Sequence, residues 1–141
     1  MNTDIEIKEC LEGFGIKASY QRMAILSFLV KNPTHPTVDI IFNNLYLSIP
    51  TLSKTTVYNT LKLLEEQGVI RALYIDEKNV RYDADLSPHA HFKCKNCGLI
   101  TDLHLDLFNI KKIEDQQRPL KLMSCEVYFQ GYCEECSKDI N

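Results

Sequence analysis

Residues 89–104 read HAHFKCKNCGLITDLH and bring together three histidines and one Cys-x-x-Cys pair, Cys94 and Cys97. A second pair, Cys133 and Cys136, lies near the C-terminus. Two such pairs, separated by a segment long enough to fold back, supply four thiolates to one tetrahedral Zn²⁺. Zinc is borderline-soft and has no geometric preference of its own, so a closed sulfur cage satisfies it. A structural zinc site typically contributes roughly 10–16 kcal/mol of apparent binding energy, which becomes folding energy. Disulfides are the poorer reading, because nothing in the chain suggests export to an oxidising compartment. A redox pair would want a βαβ pattern around it, and inert buried thiols would not come in matched pairs. The four cysteines are expected to hold structural zinc.

The histidines His35, His89, His91 and His104 need a separate account. In extended backbone His89 and His91 point to one face, as two ligands of one ion do. Asp83 and Asp85 lie just before them, and Asp102 follows the first cysteine pair. Imidazole with carboxylate is an intermediate-to-hard ligand set, suited to Fe²⁺, Mn²⁺ or Zn²⁺ and different in character from a thiolate cage. The bland alternative is a set of surface histidines on a linker. One chain thus carries candidates for two metal sites of different character.

The elements that position these residues divide at about residue 85. Before it, helical spacing of apolar residues predicts helices over 4–14 (Ile7, Leu11, Phe14), after Ser19 (Met23, Leu26, Val30) and after Thr37 (Val38, Ile41, Leu45). A fourth, over 53–67, has Ser53 as N-cap, Val57, Leu61 and Leu64 on one face, and Gly68 as its stop. Its other face carries Lys54, Thr55, Tyr58, Asn59 and Lys62, while Glu65 and Glu66 wait until the far end. Hydrogen-bonding side chains at the N-terminal end suit a helix that enters a DNA major groove. Runs at 69–75 and 80–84, joined by Asp76–Asn79, predict a hairpin. Helices followed by a small hairpin make a winged helix-turn-helix, whose wing, with a loop residue such as Lys17, reaches phosphate or the minor groove.

Beyond residue 91 the pattern predicts a strand interrupted by the cysteine knuckle over 92–104, a helix over 106–117 and a long strand over 120–132. The fold class is α+β: a DNA-binding winged helix at 1–84, a hinge at 85–91, and a small zinc-containing α/β domain at 92–141. An apolar sheet edge in the latter invites pairing with a second copy, hence a homodimer.

With 141 residues and a net charge of −3, the chain offers no bulk positive charge to nucleic acid, and neither half is basic overall. DNA binding must rest on a local face. The polar, acidic N-terminus is no signal peptide, and no apolar run approaches the ~20 residues of a membrane span. A cytoplasmic protein is expected. A hydrolase built on the His/Asp cluster would need an open coordination position and a pocket, and no phosphate loop or Ser/His/Asp arrangement appears.

Five motifs now stand in order: His35-Pro36-Thr37, TVYNTL at 56–61, HAH at 89–91, CKNCG at 94–98 and the closing GYCEEC. From about residue 10 onward the chain resembles the ferric uptake regulator (Fur) family of bacterial metal-responsive repressors. The resemblance implies a winged helix, a dimerisation domain, metal-dependent binding to a palindromic duplex-DNA operator, and structural zinc on Cys94, Cys97, Cys133 and Cys136. It places the regulatory Fe²⁺ or Mn²⁺ on His35, Asp83, His89, His91 and Asp102. The DNA-facing set it supports is Lys17, Lys54, Thr55, Thr56, Tyr58, Asn59 and Lys62.

Within the family the chain looks most like the peroxide-sensing branch. The aspartates Asp83 and Asp102, and Asn59 after the recognition-helix tyrosine, match that branch where iron-uptake regulators more often carry glutamate and arginine. By resemblance, peroxide then oxidises His35 or His89 when iron is bound, and the operator is released. The same ligands would serve a repressor that senses iron or manganese level without peroxide, the alternative reading. The additional metal site of some members is expected to be absent, because Cys125 and Asn109 stand at two of its positions. Cys125 and Cys10 read as packing residues.

Overall fold

The computed structural model describes residues 3–104, 120–121 and 124–140. Among them the chain divides into two compact units, 1–86 and 87–141.

Four helices and a hairpin build the first unit: α1 (Asp4–Gly13), α2 (Tyr20–Lys31), α3 (Val38–Leu45), α4 (Lys54–Glu66), β1 (Arg71–Leu73) and β2 (Arg81–Asp83). Each helix starts where a short hydroxyl side chain satisfies an orphan backbone N–H. Thr3 and Glu6 form a reciprocal capping box on α1. Ser19, Thr37 and Ser53 cap α2, α3 and α4. Helix α4 stops before Gly68, whose φ of 78° is the left-handed value that favours glycine.

The apolar stripes expected from spacing face inward. Ile7, Leu11, Ile25, Leu26, Ile41, Val57, Leu61 and Leu64 are buried in one cluster that also takes in Val69, Ile70 and Tyr82 from the hairpin. Each such aliphatic side chain stabilises the fold by roughly 1.5–3 kcal/mol. The hairpin strands pair antiparallel with Arg71 opposite Asp83 and Leu73 opposite Arg81. They are shorter than the runs at 69–75 and 80–84 suggested, because only three residues on each side find a partner. The arrangement is a winged helix.

The second unit holds β3 (Ala90–Cys94), β4 (Ile100–Leu103), β5 (Tyr128–Gly131) and a single turn of helix, α5 (Glu134–Ser137). The sheet order is β4-β3-β5, with β4 antiparallel and β5 parallel to β3. The knuckle interrupts a strand as expected. The long strand expected over 120–132 is not present: residues 120–121 and 124–127 are irregular and only Tyr128–Gly131 pairs. Among the described residues the only ladder partner of β5 is β3, which begins at Ala90 and pairs with β5 from His91 onward. Residues 106–117, where a helix is expected, and Asn109 lie outside the described residues.

Candidate metal centres and DNA-facing surface

Parallel pairing of β3 with β5 explains how the cysteines meet. Cys94 stands opposite Gly131 at matching strand ends, so the turn after each strand leaves the sheet on the same side. One turn carries Cys97 and closes through Gly98, whose N–H donates to the Cys94 carbonyl at 3.0 Å and whose φ is 77°. The other begins α5, with Cys133 at its N-cap and Cys136 one helical turn on.

One sulfur from each of the four lies within 4.8 Å of the others. Cys97 Sγ and Cys133 Sγ are 3.8 Å apart. A regular tetrahedron of sulfurs at ~2.3 Å from zinc has edges of ~3.8 Å, whereas a disulfide needs ~2.05 Å. The residues fit zinc. The Asn96 amide donates to Cys136 Sγ at 3.3 Å, a link between the two turns that spacing alone did not reveal. Backbone N–H groups of Cys133, then of Cys97, hold the Cys94 thiol down to about 6. At Cys136 the Asn96 amide pulls the other way, but the crowd of thiols led by Cys133, together with desolvation, pushes the group up to about 11. Four sulfurs sharing one small volume resist carrying four charges unless a cation joins them.

The imidazole and carboxylate side chains form two groups, one in each unit. In the first unit His35 Nε2 and Asp83 Oδ2 lie 3.6 Å apart, both buried. Asp83 ends β2, and His35 sits in the loop before α3 with a left-handed φ of 55°. In the second unit His91 stands directly opposite Asp102 across the β3–β4 ladder. Their Nε2 and Oδ1 atoms are 3.4 Å apart. His89 Nε2 is 3.0 Å from His91 Nε2 and 3.6 Å from Asp102 Oδ1. Ligands held at right angles ~2.1 Å from a divalent ion lie ~3.0 Å from one another, so these three atoms are spaced as neighbours around one cation.

The tautomer of His89 supports the same conclusion. Its Nδ1 is 2.7 Å from the Ser87 carbonyl oxygen, which can only accept. Nδ1 therefore carries the hydrogen, and neutral His89 offers a lone pair at Nε2. Spacing gave no sign of this carbonyl. The His104 ring lies 5.6 Å from the His89 ring and is exposed, outside the convergent group.

On α4, Lys54, Thr55, Tyr58, Asn59 and Lys62 are all exposed, and Tyr58 is 50% accessible despite its size. Thr56 is half-buried, with its hydroxyl 2.9 Å from that of the capping Ser53. Lys54 is held by Asp39 at 3.1 Å, with its ammonium 5.8 Å from the Phe42 ring centre. Lys17 is exposed and lines an open groove of about 380 Å³ with Ser19, Arg22 and Asn59. Arg22, which the spacing did not single out, reaches the Lys17 carbonyl at 3.1 Å.

Comparison with known proteins places this geometry. The sequence pattern of the ferric uptake regulator family matches residues 13–130. The chain belongs to the ferric uptake regulator family. A peroxide operon regulator of Bacillus subtilis strain 168 is 36% identical over 140 residues, which cover 96% of this chain and 97% of that one. A solved Helicobacter pylori ferric uptake regulator, described as having three functional metal binding sites, superposes with a TM-score of 0.72 at 27% identity, covering 99% of this chain and 97% of its own. The peroxide-sensing PerR of Streptococcus pyogenes superposes with a TM-score of 0.54 at 30% identity, over 96% of this chain and 94% of its own. As a Fur-family member the chain is a regulator. No helix among the described residues is long and apolar enough to cross a membrane.

Proposed function

We propose that this chain is a cytoplasmic, metal-dependent transcriptional repressor that binds a palindromic operator as a homodimer and releases it when peroxide oxidises its own metal ligands. The observation that carries the reading is the pair of His/Asp groups, His35 with Asp83 and His89 with His91 and Asp102, in which every imidazole is buried, in a chain 36% identical to a peroxide operon regulator.

In this reading the five side chains take one Fe²⁺ or Mn²⁺, and residues 85–91 are the hinge that the ion restrains. Fe²⁺ held there would lend an electron to cleave the peroxide O–O bond and regain one as the ring is oxidised, chemistry that Mn²⁺ would not supply. His35 and His89 would be the targets: one peroxide would place an oxygen on an imidazole carbon in exchange for its hydrogen, with water as the other product, and the ring would then no longer suit the ion. Asp83 and Asp102 orient the imidazoles beforehand, and the Ser87 carbonyl keeps the His89 lone pair directed inward. Restraint of the hinge fixes the spacing of two α4 helices in a dimer, and α4 with Lys17, Lys54, Thr55, Thr56, Tyr58, Asn59 and Lys62 faces the duplex. Coupling of about 1–3 kcal/mol per ligand is typical, so two ions per dimer shift operator affinity substantially.

Selection from a random duplex pool tests the DNA half of this reading. Mn²⁺-loaded protein should enrich a palindrome, and chelator-treated protein that retains zinc should not. Equal enrichment without Mn²⁺ contradicts metal dependence. Asp102→Glu separates the peroxide sensor from a metal-level sensor, a second reading favoured by the likeness to the Helicobacter regulator. Metal-dependent binding that survives this change while the peroxide response is lost supports the sensor.

A further inference from the structure

Strand β2 touches the loop that carries His35 at three successive residues. Arg81 Nη1 donates to the His35 carbonyl oxygen at 3.3 Å. The backbone N–H of Tyr82 donates to the Pro36 carbonyl at 3.1 Å. The Asp83 carboxylate then faces the His35 imidazole. The backbone between these contacts is unusual: His35 has a φ of 55°, a region in which a side chain with a Cβ persists only when its surroundings hold it.

Arg81 is itself fixed. Its Nε and Nη2 both lie 3.0 Å from Asp76 Oδ2, with side chains only 22% and 12% exposed. Asp76 in turn accepts from the backbone N–H of Lys78 at 3.0 Å, at the turn of the wing. A charged fork locked on one side and directed at a carbonyl on the other is a rigid strut, and a planar guanidinium serves this purpose where a lysine ammonium does not.

We propose that Arg81 is a positioning residue for the regulatory metal: anchored by Asp76, it holds the His35 carbonyl and so keeps the imidazole facing Asp83 before an ion arrives. The inference rests on His35 being a ligand, as argued above. Without the strut, His35 relaxes toward an ordinary backbone, and metal binding has to restore the left-handed conformation. The wing and the metal site are coupled through the same three residues, in both directions.

The test uses zinc-loaded full-length protein and measures Mn²⁺ affinity, together with the ¹³Cα shift of His35 in the Mn²⁺-free state. Arg81→Gln should weaken Mn²⁺ binding about tenfold, the factor that one hydrogen bond from a charged donor typically carries. It should also move the His35 shift away from its left-handed value. Arg81→Lys should not rescue either readout. If Arg81→Gln does not fold, Asp76→Asn serves, with a smaller loss in the same direction. A variant within twofold of the wild-type affinity, or with an unchanged His35 shift, overturns the inference. His35→Ala is the control. If it binds Mn²⁺ as the wild type does, the ligand assignment fails and the inference with it; if it binds weakly while Arg81→Gln binds normally, only the positioning role fails.

Discussion

The Nε2 atoms of His89 and His91 face each other at 3.0 Å, with the His89 lone pair directed inward by the Ser87 carbonyl. Asp102 Oδ1 completes the triangle at 3.4 and 3.6 Å. His89 Nε2 and the Asp102 carboxylate both accept, so these distances call for a hydrogen on His91 Nε2 or a cation among the three atoms. The triangle is formed by chain neighbours and by one ladder pair, so it belongs to the second unit alone. The first unit offers its own pair, His35 and Asp83.

The cysteine cluster should behave as a folding element. Cys97→Ser removes one ligand, and zinc content should fall well below one per chain. Melting temperature should drop by about 10 °C or more, because structural zinc sites typically supply several kcal/mol of folding energy. The check is zinc quantitation beside a thermal melt. Full zinc and an unchanged melt would contradict the assignment.

Lys54 on α4 is tied to Asp39, so in the proposed reading a DNA phosphate has to draw the ammonium away from that carboxylate. Asp39→Asn should tighten duplex binding about two- to fivefold at low salt, the range expected of an exposed ion pair, and less at high salt. In a Lys54→Ala background the gain should vanish. Anisotropy titrations of the single and double variants decide the matter, and an equal gain in both backgrounds would mean that Asp39 acts as simple repulsive charge.

Burial, with Glu65, Tyr58 and Tyr74 adding to it, pushes the Tyr82 hydroxyl up to about 12. In the unfolded chain a tyrosine ionises near pH ~10. The folded value is the higher one, so the contribution is complete below pH ~10 and is lost as pH rises toward 12. Tyr82→Phe should therefore lose less melting temperature than the wild type between pH ~10 and about 12, and behave like it below that window. Parallel curves would assign the alkaline loss to another group.

Much of this was legible in residue types. Ser53 and Gly68 bounded α4 because a cap hydroxyl and a positive-φ glycine are local demands. Two Cys-x-x-Cys pairs announced their site because thiolate chemistry needs four of one residue. The strand expected over 120–132 overshot, since alternation does not say where a partner ends, and β3 offers none before Ala90. The Ser87 carbonyl beneath His89 and the His35 carbonyl under Arg81 left no sign, because any residue supplies a carbonyl. Arg81 and His35 are also 46 positions apart. Asp39 is a first-turn acid of α3, and its hold on Lys54 emerges only once α3 and α4 pack.

The most direct test of the central claim is peptide mass spectrometry on Fe²⁺-loaded protein, prepared without oxygen and given a small excess of hydrogen peroxide. One added oxygen is expected on the peptides holding His35 or His89, and none in an Mn²⁺-loaded control. Histidines left intact in the iron-loaded protein, with DNA binding still dependent on metal, would contradict peroxide sensing and make the chain a sensor of metal level.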